Sequence, residues 1–347
     1  MPKNNSSQTI NIEQIVVDVL ATIERERERE IISRRFGLFD RKETLEQIGE
    51  LLGITRERVR QLEKSIIARL KTSAENLPHI PIVQTEFTKS LKTMGGVGRI
   101  SQLAKPFSSE ANRLDQARVA FLSELCPAIT LISENDFYYQ SAGVTSLHNE
   151  KAIKSQVDKI IDAIKKLGEP CSDEQLAQTL NRPTEALQVA ALASTSKQLA
   201  SLNGRWGLIK WPMVNPKNIR DKIYIILKEN GQQMHFSAIA EAIKASDFKR
   251  KDVTTQAIHN ELIKDSRFVL VGRGIYGLKE WGFKKGTVSD IIAEVLREAG
   301  EPLHRDEIVK RVLKSRFVKE TTILLNLQGK PQFKRVARAT YDIEPDA

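Results

Sequence analysis

The chain has 347 residues, of which 40% are hydrophobic and 28% charged, an ordinary composition for folded protein. The length predicts two or more domains. No apolar run approaches the roughly 18 residues that a membrane span needs. The first residues, MPKNNSSQTINI, lack the apolar core of a secretory signal. These features exclude a membrane-spanning or secreted protein of the usual kind, and we expect the chain to stay in the cytosol.

The formal net charge of +10 is unevenly distributed. Residues 151–217 carry +4, from ten basic and six acidic side chains, and residues 218–286 carry +5, from thirteen and eight. Residues 1–78 carry only +1, from fourteen and thirteen. A basic excess suits a polyanionic partner, but in the first 78 residues any such binding must depend on where charges are placed.

Chemistry-bearing residues are sparse. Cys126 and Cys171 are too few for a disulfide framework or a cysteine-rich metal site, so we expect reduced thiols packed as small apolar groups. His235 and His304 occupy equivalent places at helix starts and are predicted to make structural hydrogen bonds instead of binding metal. We find no catalytic triad, phosphate-binding loop or catalytic carboxylate pattern. We therefore expect that the protein is not an enzyme and that it binds no cofactor or metal.

The first predicted helix begins near Ile12. Apolar residues recur in IEQIVVDVL with helical spacing, and the pattern runs on through ATIERERERE. Three pairs of opposite charges in that stretch lie three residues apart: Glu24–Arg27, Glu26–Arg29 and Arg27–Glu30. We predict one helix with a solvated, ion-paired face that continues to Gly37, a residue that favours helix ends.

Two further helices joined by a short glycine turn are predicted within residues 44–71. Thr44 with Gln47 three residues later is a capping box. Gly53 ends that helix and Thr55 can cap the next one. The apolar residues predicted to face inward are Leu45, Ile48, Leu51, Leu52, Val59, Leu62, Ile66, Ile67 and Leu70. This pattern is typical of a helix-turn-helix.

The outward face of the second of these helices carries Arg56, Glu57, Arg60 and Gln61. In a helix-turn-helix, the first turns of the second helix enter the major groove of DNA. Arginine pairs bidentately with guanine, glutamine with adenine, and glutamate accepts from cytosine. A solvated helix face of mixed charge is the plainer interpretation when the helix is considered in isolation.

The segment RRFGLFDRKETLEQIGELLGITRERVRQLEKSIIARLK closely resembles region 4 of primary bacterial sigma factors. That family reads RFGL, then TLEEIG, then GVTRERVRQIE and a basic helix end, and the stretch DVLATIERERERE is similar to the helix that leads into it. The resemblance implies that the outward face described above reads a promoter −35 element. It also implies that three residues lie near phosphates: Thr44, Arg58 and Lys64.

The departures from that family matter equally. In sigma factors this unit is C-terminal and follows the parts that bind the polymerase clamp and melt the −10 element. Here it stands first, and nothing around it resembles those parts. The resemblance implies docking on RNA polymerase, whereas the departures lead us to expect that the chain does not initiate transcription alone.

The remainder of the chain is repetitive. Segments beginning at Asp158, Asp221 and Asp290 each combine an amphipathic helix, a glycine turn, two more helices and a final aromatic strand. A weaker copy precedes them, from Phe87 to Ser141. Repeats of this length are small domains in tandem. Three helices followed by a two-stranded hairpin predict a winged helix.

The copy at residues 221–281 contains MHFSAIAEAI and DSRFVLVGRGIYGL and resembles the HARE-type winged helix, a family that includes the N-terminal domain of the RNA polymerase delta subunit. The sequence GRGIYG within it fits a dinucleotide fingerprint, but that fingerprint requires a helix directly afterwards. Here an aromatic, apolar stretch follows, which predicts strand, turn and strand. The DNA contacts predicted for this copy are Lys249, Arg250, Lys251, Gln256, His259 and Arg273. A protein-binding or merely solvated surface is the alternative for them.

We therefore expect a mainly α protein, in which a sigma region 4-like helix-turn-helix precedes tandem winged helices with small β-hairpin wings. The expected domains are residues 1–78, 79–150, 151–213, 214–286 and 287–347. We expect a regulator associated with RNA polymerase that binds double-stranded DNA at the nucleoid, monomeric because no long heptad seam is present. Two alternatives stay open, a protein-interaction adaptor on the polymerase and an accessory DNA-recognition subunit of a restriction or modification system.

Overall fold

The structure is a computed structural model. The residues it describes are 10–108, 110–147, 149–248 and 252–344. Sixteen α-helices and four small antiparallel sheets occupy this described part of the chain, so the predicted mainly α fold class is confirmed. Contacts divide the chain into two compact units, Met1–Val214 and Asn215–Ala347, each described by itself below. No helix in the described ranges is long and apolar enough to cross a membrane.

Four helices open the first unit: α1 Ile12–Ala21, α2 Glu26–Phe36, α3 Leu45–Leu52 and α4 Arg56–Thr72. The prediction of one continuous helix up to Gly37 is wrong, because α1 ends at Ala21. The Thr22 hydroxyl donates to the Val19 carbonyl at 2.7 Å, and Ile23 then turns into the core, where it is 1% exposed. Burying Ile23 takes the chain off the α1 axis. Gly37 ends α2 in the left-handed conformation, as predicted.

The ion pairs predicted along α2 are wrong as well. Arg27 donates from Nη2 to the Leu52 carbonyl at 2.5 Å. Glu28 is buried and accepts from Arg69 Nη2 at 2.5 Å. None of the three predicted pairs forms in this described stretch; the pairs that do form along this helix are Arg25–Glu28 at 3.5 Å and Arg34–Glu30 at 3.0 Å, while Arg27 and Glu28 also bond to α3 and α4.

Four successive segments then share the order helix, strand, helix, helix, strand, strand. The elements of the first are α5 Ile80–Thr93, β1 Val97–Arg99, α6 Ile100–Leu103, α7 Arg113–Leu125, β2 Ile129–Ile132 and β3 Ser141–Val144. Those of the second are α8 Glu150–Leu167, β4 Cys171–Ser172, α9 Asp173–Thr179, α10 Ala186–Ser194, β5 Leu199–Leu202 and β6 Arg205–Leu208. Both of these segments belong to the first compact unit.

The second compact unit holds the other two segments. The elements of the third are α11 Ile219–Asn230, β7 Met234–His235, α12 Phe236–Ala245, α13 Thr255–Lys264, β8 Phe268–Gly272 and β9 Ile275–Leu278. Those of the fourth are α14 Val288–Ala299, β10 Leu303–His304, α15 Arg305–Ser315, α16 Glu320–Gly329, β11 Phe333–Ala337 and β12 Thr340–Ile343. The weak first copy thus has the same element order as the three stronger ones.

All four sheets have the same topology, with the last strand of each segment in the middle. The recurring aromatic residue lies on that central strand in three segments, as Trp206, Tyr276 and Tyr341, and is buried each time. A bulky ring on the central strand packs against the helices of its own segment. This placement explains why the aromatic residue recurs at the same point of each copy.

The helix-turn-helix has a small core of its own. Residues 25–72, called the head from here on, enclose only Ile31, Ile48 and Val59 in a separate cluster. The other buried hydrophobic side chains of the head, Ile32, Leu38, Ile66 and Leu70, join one large cluster with α1, α5 and α7. The head and the segment after it therefore share a hydrophobic core.

A buried arginine reinforces this connection. Arg118 on α7 is 7% exposed and donates from Nε to the Leu38 carbonyl at 3.0 Å, and from Nη2 to Glu13 Oε1 at 2.9 Å. It thereby holds α7 to α1 and to the loop after α2. A hydrogen bond to a charged group contributes about 1.5–3 kcal/mol.

In the second unit, the fourth segment contacts an outer strand of the third. The backbone N–H of Phe317 donates to the Val271 carbonyl on β8 at 3.2 Å. Beside it, Arg316 donates from Nη1 to the Leu270 carbonyl at 2.6 Å. Strand β8 lies at the edge of its sheet, so residues 316–317 cover part of a backbone edge that its own sheet leaves open.

Candidate nucleic-acid interface

Short-range contacts fix the helix-turn-helix. Thr44 and Gln47 form the predicted capping box, with Gln47 N–H donating to Thr44 Oγ1 at 3.2 Å and Thr44 N–H donating to Gln47 Oε1 at 2.9 Å. Gly53 ends α3 in the left-handed conformation, at φ +63. Thr55 then caps α4 by accepting from the Arg58 N–H at 3.2 Å. All of these local predictions are confirmed.

The packing of α3 on α4 depends on Gly49. A Cβ atom there would lie 2.7 Å from the Ile54 carbonyl oxygen, so only glycine lets the turn fold back this closely. Gly49 takes a place on the buried face of α3, and Leu51, which was predicted to face inward, is 55% exposed. That prediction is wrong because the inner stripe of α3 passes through Ile48 and Gly49.

The outward face of α4 carries a bonded network. Arg60 donates to both carboxylate oxygens of Glu57, at 2.8 and 2.7 Å, and Gln61 donates to Glu57 Oε1 at 3.3 Å. Arg58 reaches Gln61 Oε1 at 3.4 Å. The hydrogen bond from Arg60 lowers the pKa of Glu57, and the same bond raises the pKa of Arg60. Three of the four predicted base readers, Glu57, Arg60 and Gln61, thus hold one another in place on an exposed helix face.

The remaining predicted contacts of the head are distributed around this network. Arg56 is exposed at the first turn of α4 and makes no ion pair or hydrogen bond with any described residue. Lys64 is exposed two turns later and is equally unpaired within the described part. The Thr44 hydroxyl and N–H are already used by the capping box. Contact of Thr44, Arg58 and Lys64 with phosphates stays a prediction.

The second unit holds the residues predicted from the third segment. Arg273 is exposed at the turn between β8 and β9, as a wing-tip residue should be. Gln256 is exposed on α13 and donates to Asn260 Oδ1 at 3.0 Å. His259 is only half-exposed, with its ring 4.8 Å from that of Phe236 and 6.0 Å from that of Tyr276, which gives it a packing role. Three of the predicted contacts, Lys249, Arg250 and Lys251, lie outside the described residues.

The second unit also contains the GRGIYG sequence and the two histidines that were discussed from the sequence. Strand β9 begins directly after Gly274 and contains the third glycine of GRGIYG, Gly277, so a strand stands where a dinucleotide site requires a helix. The side chains of His235 and His304 accept hydrogen bonds as N-caps of α12 and α15. Within the described ranges, no group of three or more His, Cys, Asp or Glu is arranged to hold a metal ion.

A cleft that the sequence did not predict runs beside α4. Its volume is about 1250 Å³, and its walls are the C-terminal half of α4, the α2–α3 connection, α7 and the end of β2. The basic residues that line it are Arg35, Arg41, Lys42, Arg60, Lys64, Lys71 and Arg113. The acidic ones are Asp40, Glu63, Glu124 and Glu134. Since α7 belongs to a different segment from α4, no local pattern brings these residues together.

The head is a helix-turn-helix with an exposed polar face on its second helix, which is the architecture of a DNA-reading domain. The Sigma-70, region 4 family profile matches residues 25–72, so the head is a Sigma-70 region 4 domain. The match ends at residue 72, and the resemblance of the later segments to HARE-type winged helices stays a prediction.

Two relatives show the extent of this similarity. "RNA polymerase sigma factor sigB" of Arabidopsis thaliana is 47% identical over 62 residues, which cover 18% of this chain and 10% of that protein. "RNA polymerase sigma factor SigA" of a Bacillus species is 47% identical over 55 residues, which cover 16% of this chain and 14% of that protein. The chain therefore spans a small part of the relatives it matches.

Proposed function

We propose that this protein is a sequence-specific DNA-binding regulator of transcription that acts at promoters with RNA polymerase and recognises −35-like DNA. The observation that carries the proposal is the exposed α4 face of Arg56, Glu57, Arg60 and Gln61 on a Sigma-70 region 4 domain. Guanine, adenine and cytosine edges in the major groove offer matching partners for these side chains. The likeness of this chain to parts of two RNA polymerase sigma factors supports its proposed association with polymerase.

The state of the Glu57 carboxylate fits this role. A carboxylate on a DNA-facing surface is repelled by phosphates, and here Arg60 neutralises it through two hydrogen bonds. On DNA, Arg60 and Gln61 exchange these intramolecular bonds for base edges, which leaves Glu57 to accept from a cytosine amine. In the free protein, Glu57, Arg60 and Gln61 thus satisfy one another's hydrogen-bonding groups before DNA binds.

The four later segments have the element order of winged helices, and we propose that they are such domains. Winged helices bind nucleic acid or protein through the third helix and the hairpin, which here would be α13 and the β8–β9 turn with Arg273 in the third segment. In this proposal the protein acts by binding alone, without enzymatic chemistry. It regulates transcription and does not initiate it alone.

The testing experiment is fluorescence anisotropy with two duplexes, one carrying TTGACA and one a scrambled sequence, across a salt series. We expect the protein to prefer the first by about tenfold or more, or about 1.4 kcal/mol. The double variant Arg56→Ala, Gln61→Ala should lose the preference. The control Lys92→Ala removes an exposed charge from α5 and should keep it.

The outcomes separate the competing functions. Equal, steeply salt-dependent binding to both duplexes would mean that phosphate contacts dominate and the head does not read bases. Binding to neither duplex would contradict the proposal and favour the adaptor role, for which retention of purified RNA polymerase on the immobilised protein is the corresponding measurement.

A further inference from the structure

The cleft beside α4 is continuous with the proposed base-reading face. Arg56, Arg60, Lys64 and Lys71 follow one another at steps of four, four and seven residues, which places them on one side of an α-helix. Arg60 belongs to both regions, because it joins the network of Glu57 and also lines the cleft. The first turns of α4 therefore face open solvent, and its later turns present the same side to the cleft.

Most acidic side chains in the cleft are neutralised by neighbours. Glu63 pairs with Arg35 at 3.1 Å, Glu124 pairs with Lys71, and Glu134 pairs with Lys197 at 2.8 Å. Of the acidic lining residues, Asp40 alone forms no ion pair with a described residue. The carboxylates thus contribute little net negative charge to the cleft.

Four cations in the cleft lack such partners. Arg41, Lys42, Lys64 and Arg113 form no ion pair or side-chain hydrogen bond with any residue that the structure describes. They approach from three elements, because Arg41 and Lys42 lie on the α2–α3 connection, Lys64 on α4 and Arg113 on α7. Like charges that converge on one concavity repel one another until an anion enters. The unpaired charges, four positive against one negative, favour a polyanion.

We propose that this cleft receives the sugar–phosphate backbone of the duplex that α4 reads, and that Arg113 on α7 adds a phosphate contact from outside the head. This inference rests on the proposed function. A recognition helix inserts its first turns into the major groove, so the backbone that borders the groove passes near its later turns. DNA bound by α4 brings phosphates to the cleft without any additional partner. An acidic polypeptide segment in the cleft would also contact Arg60. It would therefore compete with the DNA that α4 reads, whereas the DNA backbone itself would not.

The test compares the full-length protein with Arg113→Ala and with the control Lys92→Ala, on the TTGACA and scrambled duplexes across a salt series. Each phosphate neutralised contributes about −0.9 to the slope of log affinity against log salt concentration. We expect Arg113→Ala to weaken binding to both duplexes by the same factor and to make the slope shallower by about 0.9. The preference for TTGACA and the behaviour of Lys92→Ala should not change. Arg113→Glu should weaken binding further.

Each contrary outcome has its own meaning. If the unmodified protein prefers TTGACA and Arg113→Ala leaves affinity and slope unchanged, this inference is wrong and the proposed function stands. If the unmodified protein binds neither duplex, the proposed function fails and this inference fails with it. If Arg113→Ala leaves duplex binding intact but weakens its inhibition by added polyglutamate, the cleft takes an acidic polypeptide, and the backbone assignment is overturned. Arg113 is exposed, so its variants are expected to fold.

Discussion

Replacing Phe121 with alanine is expected to destabilise the head, although Phe121 lies on α7, outside residues 25–72. The ring is fully buried on α7 and lies edge-on to Phe36 at the end of α2, with 5.1 Å between ring centroids. Buried Phe→Ala changes cost about 3–5 kcal/mol, since they remove packing and leave a cavity. The lost ring pair adds about 0.5–1.5 kcal/mol. We expect the free energy of unfolding of the first unit to fall by about 3.5–6.5 kcal/mol, a large fraction of the roughly 5–15 kcal/mol that stabilises a domain.

Hydrogen exchange on the full-length protein followed by mass spectrometry measures this effect locally. A two-unit protein does not unfold in one step, whereas exchange reports the opening of each peptide. At about 1.4 kcal/mol per factor of ten, amides of α4 should exchange at least about three hundredfold faster in Phe121→Ala, together with those of α5 and α7. The control Leu262→Ala, in the core of α13, should accelerate exchange in residues 215–347 and leave α4 unchanged.

If Phe121→Ala accelerated exchange in α5 and α7 while α4 kept its protection, the stability of α4 would not depend on α7. That result would mean that the small cluster of Ile31, Ile48 and Val59 stabilises the head without help. The head would then behave as a separate domain, in spite of the core that it shares with α7.

Two more predictions concern the turn and the thiols. Gly49→Ala should lower the melting temperature of the first compact unit, because the new Cβ would lie 2.7 Å from the Ile54 carbonyl oxygen, at a cost of about 1–3 kcal/mol. The matched control is Gly53→Asn, at a left-handed position with open space around it. Equal melting temperatures for the two variants would contradict the close approach of α3 and α4. Burial raises the pKa of Cys126 to about 12 and also raises that of Cys171, so iodoacetamide at pH 8 should modify both far more slowly in folded than in urea-unfolded protein. If Cys126 is alkylated at the same rate in folded and in urea-unfolded protein, it is not protected by burial. The unfolded thiols ionise near their ordinary pKa of 9.0, so the free energy of unfolding should fall as the pH rises above 9. This fall should be less steep in Cys126→Ala.

The sequence predicted those features of the head that depend on near neighbours. The capping box of Thr44 and Gln47 and the N-cap at Thr55 each join residues three positions apart, so both can be identified from residue types alone. The break after α1 could not be found this way. It follows from the burial of Ile23 against side chains far along the chain, whereas its local sequence, ATIERERERE, is typical of a continuous helix.

The cleft shows the same limit for the candidate site. Arg56, Glu57, Arg60 and Gln61 were identified because they share one face of one helix. Arg113 was not, because it lines the same cleft as Lys64 only after α7 packs onto α4, and helical periodicity carries no information about that packing. Long-range burial of residues such as Phe121 decides it, and only the folded structure shows which cations converge.

The contact of residues 316–317 with β8 bears on how this chain avoids association with itself. An outer strand with free carbonyl and N–H groups can recruit a strand from another molecule, which leads to domain swapping or fibrous aggregates. The Phe317 N–H takes up the carbonyl of Val271, and Arg316 takes up that of Leu270. The fourth segment therefore covers part of one edge of the third segment's sheet, which leaves fewer free backbone groups with which a strand of another molecule could pair.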